Sequence, residues 1–387
     1  MPTSPRTGSR EKLRAARKAH DSAPAAGRHT LSEILSQPAV WRETSKQLEQ
    51  QGTLEQLVKI FFPGSPWLFL ACGSSYYLSQ IAATLWTRQL QGRCTGVPAS
   101  EFLFDPGETI RRTGAQQVVL VSRSGETTEV LRAAKLLEAE RSILTLGVTC
   151  NADSPLEKLC SRTLKLAGAD EQSTVMTRSF TSMLIALERL GAKFAGDPEL
   201  ISTLDKLPEK VQPWLAANAD KIQGFGRKRQ FEDFVFLGQG AHFWLAQEAG
   251  LKITEMSSSY AQVYHTLEFR HGPRSIAGRD TLITFLISES AAAEETQLVS
   301  EMKELGAATL VITNRATEAL RRASDLLVEL RMDEPEFARL APVAIPAQLL
   351  GAAVGLRKGL DPDTPKNLSR VVTLDPNGSG AVKRRSV

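Results

Sequence analysis

Ser122, Ser124 and Thr127 crowd one short turn, SRSGETTE, which spans residues 122–129 of this 387-residue chain. An apolar run ending at Val121 leads into the turn and a helix-forming stretch leaves it. Exposed backbone N–H groups, the positive end of a helix dipole and three hydroxyls would together cradle a phosphate. Gly125 gives the backbone freedom to bend close to such a ligand. The plainer reading is an ordinary helix cap, with Glu126 and Glu129 favouring the first turn; three hydroxyls and a glycine exceed what a cap needs. A second turn, CGSSY, places Ser74 and Ser75 at another helix start. Further on, Glu248, Lys252 and Glu255 recur at spacings of four and three, which puts all three on one helical face. A solvated salt-bridge stripe is the ordinary explanation for that spacing. Sixteen residues after Glu255, His271 lies in the Gly-Pro turn of HTLEFRHGPRS. A carboxylate and an imidazole near a phosphate cradle are the usual acid and base of proton transfer.

The elements that must position these groups occur twice. WLFLACGSSYYLSQIAATLW (67–86) is answered about 165 residues on by FVFLGQGAHFWLAQEAGLKI (234–253), and VVLVSRSGETTEVLRAAKLL (118–137) by LITFLISESAAAEETQLVSEM (282–302). Two offsets that agree this closely indicate a duplicated domain. Short continuous apolar runs alternate with helical stretches: WLFLA, QQVVLVS, ILTLGVT and RTLKLA, then FVFLG, LITFLIS, ATLVIT and DLLVEL. That alternation predicts an α/β fold with parallel sheets buried on both faces, whose ligands sit outside the carboxyl ends of the strands. In the second half the equivalent turns, GQGAHF and SESAAAE, carry Glu289 and alanines and do not suit an anion.

Around the strands, apolar spacing predicts two amphipathic helices over 31–62, a long helix from Thr177 to about Ala195 and a last helix from about Pro342 to Lys358. Residues 197–229 read as a helical linker in which Pro208 and Pro213 limit continuity. An irregular stretch containing PDTPKNLSRVVTL follows the last helix. These signals divide the chain into a basic, disordered tail (1–30), a first domain with N-terminal helices (31–200), a second domain with a C-terminal loop (201–375) and a short disordered tail (376–387).

Composition agrees with two ordinary globular domains: 42% of residues are hydrophobic and 23% charged. The sequence shows no uninterrupted run of about 18 apolar residues and no apolar leader at its start, so a cytoplasmic location is expected. Cys72, Cys94, Cys150 and Cys160 are scattered without CxxC or Cys/His clustering, which fits reduced thiols and no metal site. The net charge of +4 is concentrated in two tails, Arg6 to Lys18 and Lys383 to Arg385. Solvated ends explain them better than a nucleic-acid arm or an organellar presequence, since no aromatics are interleaved.

CGSSY, SRSGET, the helix ending LKITEMSSSYAQVYHTLE and the FRHGPRS turn together resemble the sugar isomerase (SIS) domain family over about residues 45–375. The resemblance is greatest to the isomerase half of glucosamine-6-phosphate synthase and to stand-alone aminosugar-phosphate deaminases and tagatose-6-phosphate ketose/aldose isomerase-like proteins. It implies two tandem SIS domains, each a flavodoxin-like five-stranded parallel sheet flanked by helices, and a homodimer with shared active sites. It further implies that Ser74, Ser75, Ser122, Arg123, Ser124 and Thr127 bind a sugar 6-phosphate. Glu255 would move a proton between C1 and C2, and His271, supplied by the neighbouring subunit, would open the ring. Lys252 would steady oxyanion charge, and Ser369 and Arg370 would meet the substrate from the C-terminal loop. No cofactor or metal is implied, and no nucleic-acid or membrane partner.

Four departures from the synthase pattern narrow the expectation. The first cysteine is Cys72, so no glutaminase nucleophile is expected and glutamine is not the expected nitrogen donor. Arg370 stands where the synthase places an imine-forming lysine, and a guanidinium stays protonated and forms no imine. Arg123 replaces a glutamine and Gln262 a glutamate. The expected function is therefore an aminosugar-phosphate deaminase/isomerase that acts on glucosamine 6-phosphate. Plain aldose–ketose isomerisation of a hexose phosphate such as tagatose 6-phosphate is the near alternative, and a non-catalytic phosphosugar sensor the distant one.

Overall fold

A computed structural model describes residues 25–140 and 142–374; the basic stretch 1–24 and the terminal stretch 375–387, including the tail expected at 376–387, lie outside the described residues. Three helices open the described chain: α1 (Arg28–Leu35), α2 (Gln37–Gln50) and α3 (Thr53–Val58). The first of them begins three residues before Leu31, and there is one more helix than periodicity suggests. The first domain continues with β1 (Trp67–Ala71), α4 (Ser74–Leu90), β2 (Cys94–Pro98), α5 (Ala99–Phe104), α6 (Pro106–Thr113), β3 (Gln117–Val121), α7 (Thr128–Ala139), β4 (Leu144–Thr149), α8 (Pro155–Leu159), β5 (Arg162–Lys165) and α9 (Arg178–Ala195). After α10 (Pro198–Lys228) the pattern repeats: β6 (Asp233–Gly238), α11 (Ala241–Ser257), β7 (Ala261–His265), β8 (Thr281–Leu286), α12 (Ala292–Glu304), β9 (Ala308–Thr313), α13 (Glu318–Ala323), β10 (Leu326–Glu329) and α14 (Leu340–Arg357).

Each half forms a five-stranded parallel sheet, with orders β2-β1-β3-β4-β5 and β7-β6-β8-β9-β10. This is the flavodoxin-like order, whose ligand crevice lies at the carboxyl ends of the strands flanking the switch point. The fifth strand of each sheet, β2 or β7, has no counterpart among the apolar runs. Both are half-buried edge strands, so they lack the continuous apolar signature of a strand covered on both faces. AQVYH therefore belongs to a strand, and the helix carrying Glu255, expected to run on through it, stops at Ser257.

The inner faces of both sheets share one hydrophobic core, from Trp67 and Phe69 through Phe180 and Leu187 to Phe234 and Leu350, while the outer face of each sheet has its own smaller cluster. Two helices behave differently from expectation. The linker is one unbroken helix through Pro208 and Pro213. Its buried stripe Leu200, Leu204, Leu207, Val211, Leu215, Ala219 and Ile222 keeps phase across both prolines, so packing outweighs the roughly 3 kcal/mol that each interior proline costs. The boundary expected between residues 200 and 201 falls in its first turn. The segment Glu336–Arg357 is long and apolar enough to cross a membrane by length and composition, contrary to the sequence expectation, but its apolar window is 94% buried inside the fold. It is the central core helix, packed on α10 and α11.

The α11–α14 crossing is close enough to dictate residue size. A Cβ on Gly355 would lie 2.2 Å from the Met256 carbonyl oxygen, a backbone atom that cannot swing aside. Gly355→Ala should therefore lower the unfolding free energy read from urea denaturation by about 1–3 kcal/mol, despite the better helix propensity of alanine. Gly224→Ala in α10, where nothing lies within 4 Å of the new Cβ, should instead gain up to about 1 kcal/mol. A rise in both variants would refute the crossing.

Candidate active site

The site is assembled at the carboxyl edge of the first sheet and roofed by a helix of the second domain. Gly73, just before α4, has φ 56° and ψ −133°, a conformation that an L-residue rarely adopts. It turns the chain from β1 into α4 so that Ser74 and Ser75 open the helix, both buried. No side chain caps this helix. Ser75 Oγ lies 3.8 Å from Met176 Sδ.

The SRSGETTE turn shows why the plain capping reading falls short. Thr127 occupies the N-cap position of α7 but makes no side-chain cap hydrogen bond. Its hydroxyl turns inward to Ser122 Oγ at 3.0 Å, and Ser124 Oγ completes the cluster at 3.5 Å. Gly125 donates its N–H to Ser122 Oγ at 3.0 Å. Its φ of +62° and the 2.3 Å that would separate an added Cβ from Ser154 Cβ exclude any other residue without movement. Three convergent hydroxyls at a helix start form an arrangement suited to an anion.

From the second domain, α11 brings Lys252 to this edge. Its ammonium is fully buried and donates to Ser74 Oγ of the first domain at 3.2 Å and to Glu255 Oε2 at 2.5 Å. Glu248 Oε1 lies 3.3 Å away as an ion pair. The expected solvated stripe is thus a buried triad: Glu248 is 2% exposed, and Glu255 keeps one side open, its side chain 19% exposed. Burial alone would lower the Lys252 pKa, but Glu248 and Glu255 outweigh it and hold the ammonium charged. Burial pushes the Glu248 carboxyl up to about 7, and neither of its oxygens has a hydrogen-bonded partner among the described residues. A carboxylate facing the cleft beside a fixed cation can take and return a proton while the cation steadies an adjacent oxyanion.

The remaining expected residues fall into two groups. Arg123 is 6% exposed. Nη2 donates to the carbonyls of Thr174 (3.2 Å) and Arg370 (2.8 Å), and Nη1 lies 3.7 Å from Glu171, so its polar partners are these groups and not the Ser122, Ser124 or Thr127 hydroxyls among the described residues. Ser369 donates to the Val371 carbonyl, and Arg370 pairs with Asp170 at 2.5 Å; their segment crosses the start of α7, where Leu374 N donates to Thr128 Oγ1. His271 is the outlier. It is exposed between two short 3-10 turns, Leu267–Arg270 and Pro273–Ile276, and its ring makes no hydrogen bond or ion pair to Glu255, Lys252 or the hydroxyls among the described residues. Arg270, paired with Glu301 at 3.0 Å, pins this loop to α12.

Sequence reasoning missed the loop after β5. There buried Glu171 accepts from Thr177 N and Oγ1 (both 2.6 Å) and from Ser179, and Glu33 of α1 accepts from Gln172 and Ser173. The hydroxyl-rich run Ser173, Thr174, Thr177, Ser179 behind a strand was the available signal. In the second half, Gly240 repeats the Gly73 conformation (φ 55°, ψ −126°), but the edge is filled from within. Glu336 accepts from the Glu289 N–H at 2.6 Å and sits 3.9 Å from buried His242, while Arg339 pairs with Glu289.

Glu248 gives the site a pH signature. Its folded-state pKa, about 7, lies above the ordinary 4.5, so between these values the folded chain binds more protons than the unfolded one, and the group costs stability as pH rises. Glu248→Gln should therefore gain on the wild type in urea midpoint between pH 5 and pH 8. Parallel pH curves for the two proteins would contradict a buried Glu248 that holds its proton up to about pH 7.

A family model described as the SIS domain matches residues 67–192 and 230–351. Curated relatives include the isomerizing glutamine–fructose-6-phosphate aminotransferases of Methanothermobacter thermautotrophicus, 28% identical over 354 residues (91% of this chain, 56% of the relative), and of Pseudomonas aeruginosa, 29% over 389 residues (92% and 61%). The chain thus spans a little over half the length of these relatives. Among solved structures, a glucosamine-6-phosphate deaminase from Thermotoga maritima is 30% identical, with a TM-score of 0.72 over 89% of this chain and 100% of that one. A tagatose-6-phosphate ketose/aldose isomerase from Escherichia coli has a TM-score of 0.76 at 21% identity over 89% and 98%, a likeness of fold alone. With both halves matched, each on its own parallel sheet, this chain belongs to the SIS domain family.

Proposed function

We propose that the chain is a phosphosugar isomerase that deaminates a hexosamine 6-phosphate, with glucosamine 6-phosphate as the substrate. The observation that carries this reading is the buried Lys252, which links Glu255 to Ser74 at the edge shared with the Ser122–Thr127 hydroxyls. A phosphate on the hydroxyls would anchor the sugar with its C1–C2 end toward Glu255. The 30% identical Thermotoga maritima deaminase, matched over its full length, supports the substrate class.

In this reading Glu255 removes the C2 proton of the open-chain aldose, and the electrons form a C1–C2 enolamine. Returning the proton at C1, with an N–H proton passing to O1, gives a C2 imine beside a C1 hydroxyl, and water hydrolyses the imine to the ketose 6-phosphate and ammonia. Lys252 steadies the oxygen at C1 while negative charge builds there. Arg370 is held by Asp170 and, always protonated, takes no part in imine chemistry. His271 is exposed in its own chain and would act as ring opener from a second copy, so the working unit we propose is a homodimer located in the cytoplasm. Deprotonation by Glu255 is common to simple aldose–ketose isomerisation, so substrate assays decide between the two reactions.

Ammonia release from glucosamine 6-phosphate, with the ketose phosphate appearing in equal amount, would support the deaminase. Interconversion of unaminated hexose phosphates without ammonia would move the chain to the plain isomerases, and binding with neither activity to a sensor. Glu255→Gln should lower kcat by about 10²- to 10⁴-fold while phosphosugar affinity stays nearly unchanged. A variant that turns over normally would remove Glu255 from the chemistry.

A further inference from the structure

We infer that Arg123 is a positioning residue that latches the C-terminal segment across the hydroxyl turn, so that occupancy of the turn and closure of the segment are linked. The segment from Asp361 to Leu374 forms no helix or strand. At its start it is tied to α1: Asp361 accepts from Gly27 N at 2.8 Å, and Asp363 accepts from His29 N, Thr30 N and Thr30 Oγ1. The Asp363 carbonyl accepts from Thr174 N at 3.0 Å, which joins the segment to the loop after β5.

Beyond Asp363 the anchoring changes character. Pro365 is buried and Val371 half-buried, but Leu368, Val372 and Leu374 are 45%, 53% and 50% exposed, so apolar packing beyond Pro365 is slight. It is kept by polar contacts: Arg123 Nη2 to the Arg370 carbonyl, the Arg370–Asp170 pair, and Thr128, whose N–H reaches the Val372 carbonyl at 3.4 Å and whose hydroxyl accepts from Leu374 N. Of these contacts, Arg123 is the one that lies between two of the hydroxyl residues, Ser122 and Ser124, while Thr128 follows the last of them. Its own carbonyl is fixed by Cys150 N (2.9 Å) and Thr149 Oγ1 (3.1 Å), so the backbone that presents the hydroxyls also sets where the guanidinium starts. Glu171 balances the buried charge, yet Nη1 has no hydrogen-bond partner among the described residues. One planar fork thus spans the turn, the β5 loop and the segment, a geometry that a lysine cannot copy.

The link to a ligand rests on the phosphosugar reading; the latch itself does not. The test is hydrogen exchange of the full chain over residues 368–374, with and without inorganic phosphate, together with calorimetric phosphate binding. In Arg123→Gln, exchange there should rise by about tenfold or more, as expected for a lost charge-assisted hydrogen bond, while phosphate affinity changes by less than about threefold, since the hydroxyls remain. Phosphate should slow exchange in the wild type and not in the variant, and the variant should lose kcat with little change in KM. Arg123→Lys, which keeps the charge facing Glu171, should fold and show the same exchange phenotype in weaker form, and serves if Arg123→Gln does not fold. Unchanged exchange in both variants, or a loss of phosphate binding with the segment still protected, would overturn the latch. Failure of phosphate to bind the wild type would sink the phosphosugar reading, and with it the linkage, while exchange without phosphate would still judge the latch.

Discussion

A buried ammonium with two carboxylates and one hydroxyl around it is the constraint on which this structure turns. Lys252 has no exposed surface, and its partners come from both halves of the chain: Glu248 and Glu255 from its own helix, Ser74 from the other domain. Removing one partner from a buried ion group leaves uncompensated charge, at a cost of about 3–5 kcal/mol. Within this group the Ser74 Oγ bond is the contact that crosses between the domains, so sliding one domain over the other would cost that bond to a buried cation. The shared core enforces the same relation by apolar contact, since residues such as Trp86, Leu187 and Leu350 belong to a single cluster. The precision needed for proton transfer and the rigidity of the domain pair have one physical origin.

The phosphate-suited turn is held by a different logic. Its hydroxyls are aimed inward because the positive-φ glycine and the close approach of Ser154 leave the backbone few alternatives. Around it lie three connections drawn from distant sequence: α1, the loop after β5, and the C-terminal segment. Asp363 supplies α1 with carboxylate acceptors for N–H groups that the local residues leave uncapped. The two described ends of the chain meet here, and the site is closed by residues more than 300 positions apart.

Much of this was legible in the sequence, because duplicated strands and turn chemistry are local signals. Eight of the ten strands fall on the runs read from the sequence, although β5 (RTLK) is itself largely polar, and Ser122, Ser124 and Thr127 announce a cradle by their number and spacing. What escaped depends on tertiary context. The edge strands β2 and β7 are half exposed and read as neither strand nor helix. The prolines of α10 are tolerated because a long buried stripe carries the helix across them. The Glu248–Lys252–Glu255 spacing fixes a face but not what covers it, so a buried triad looks like a surface one. Arg123 sits in the right turn, yet the direction of its side chain is decided by Glu171 and two carbonyls that no local pattern reveals.

Glu336 in the second half has a consequence for how the two copies can change over time. The first cradle is an open question put to a ligand; the second is answered by its own carboxylate, held by the Glu289 N–H and neighboured by His242 and Arg339. Substitutions at Ser122, Ser124 or Thr127 are judged by what the turn must bind. Those at His242, Glu289, Glu336 and Arg339 are judged by electroneutrality among themselves, so they should drift as a set. Duplication has left one half answerable to the substrate and the other only to its own charge balance.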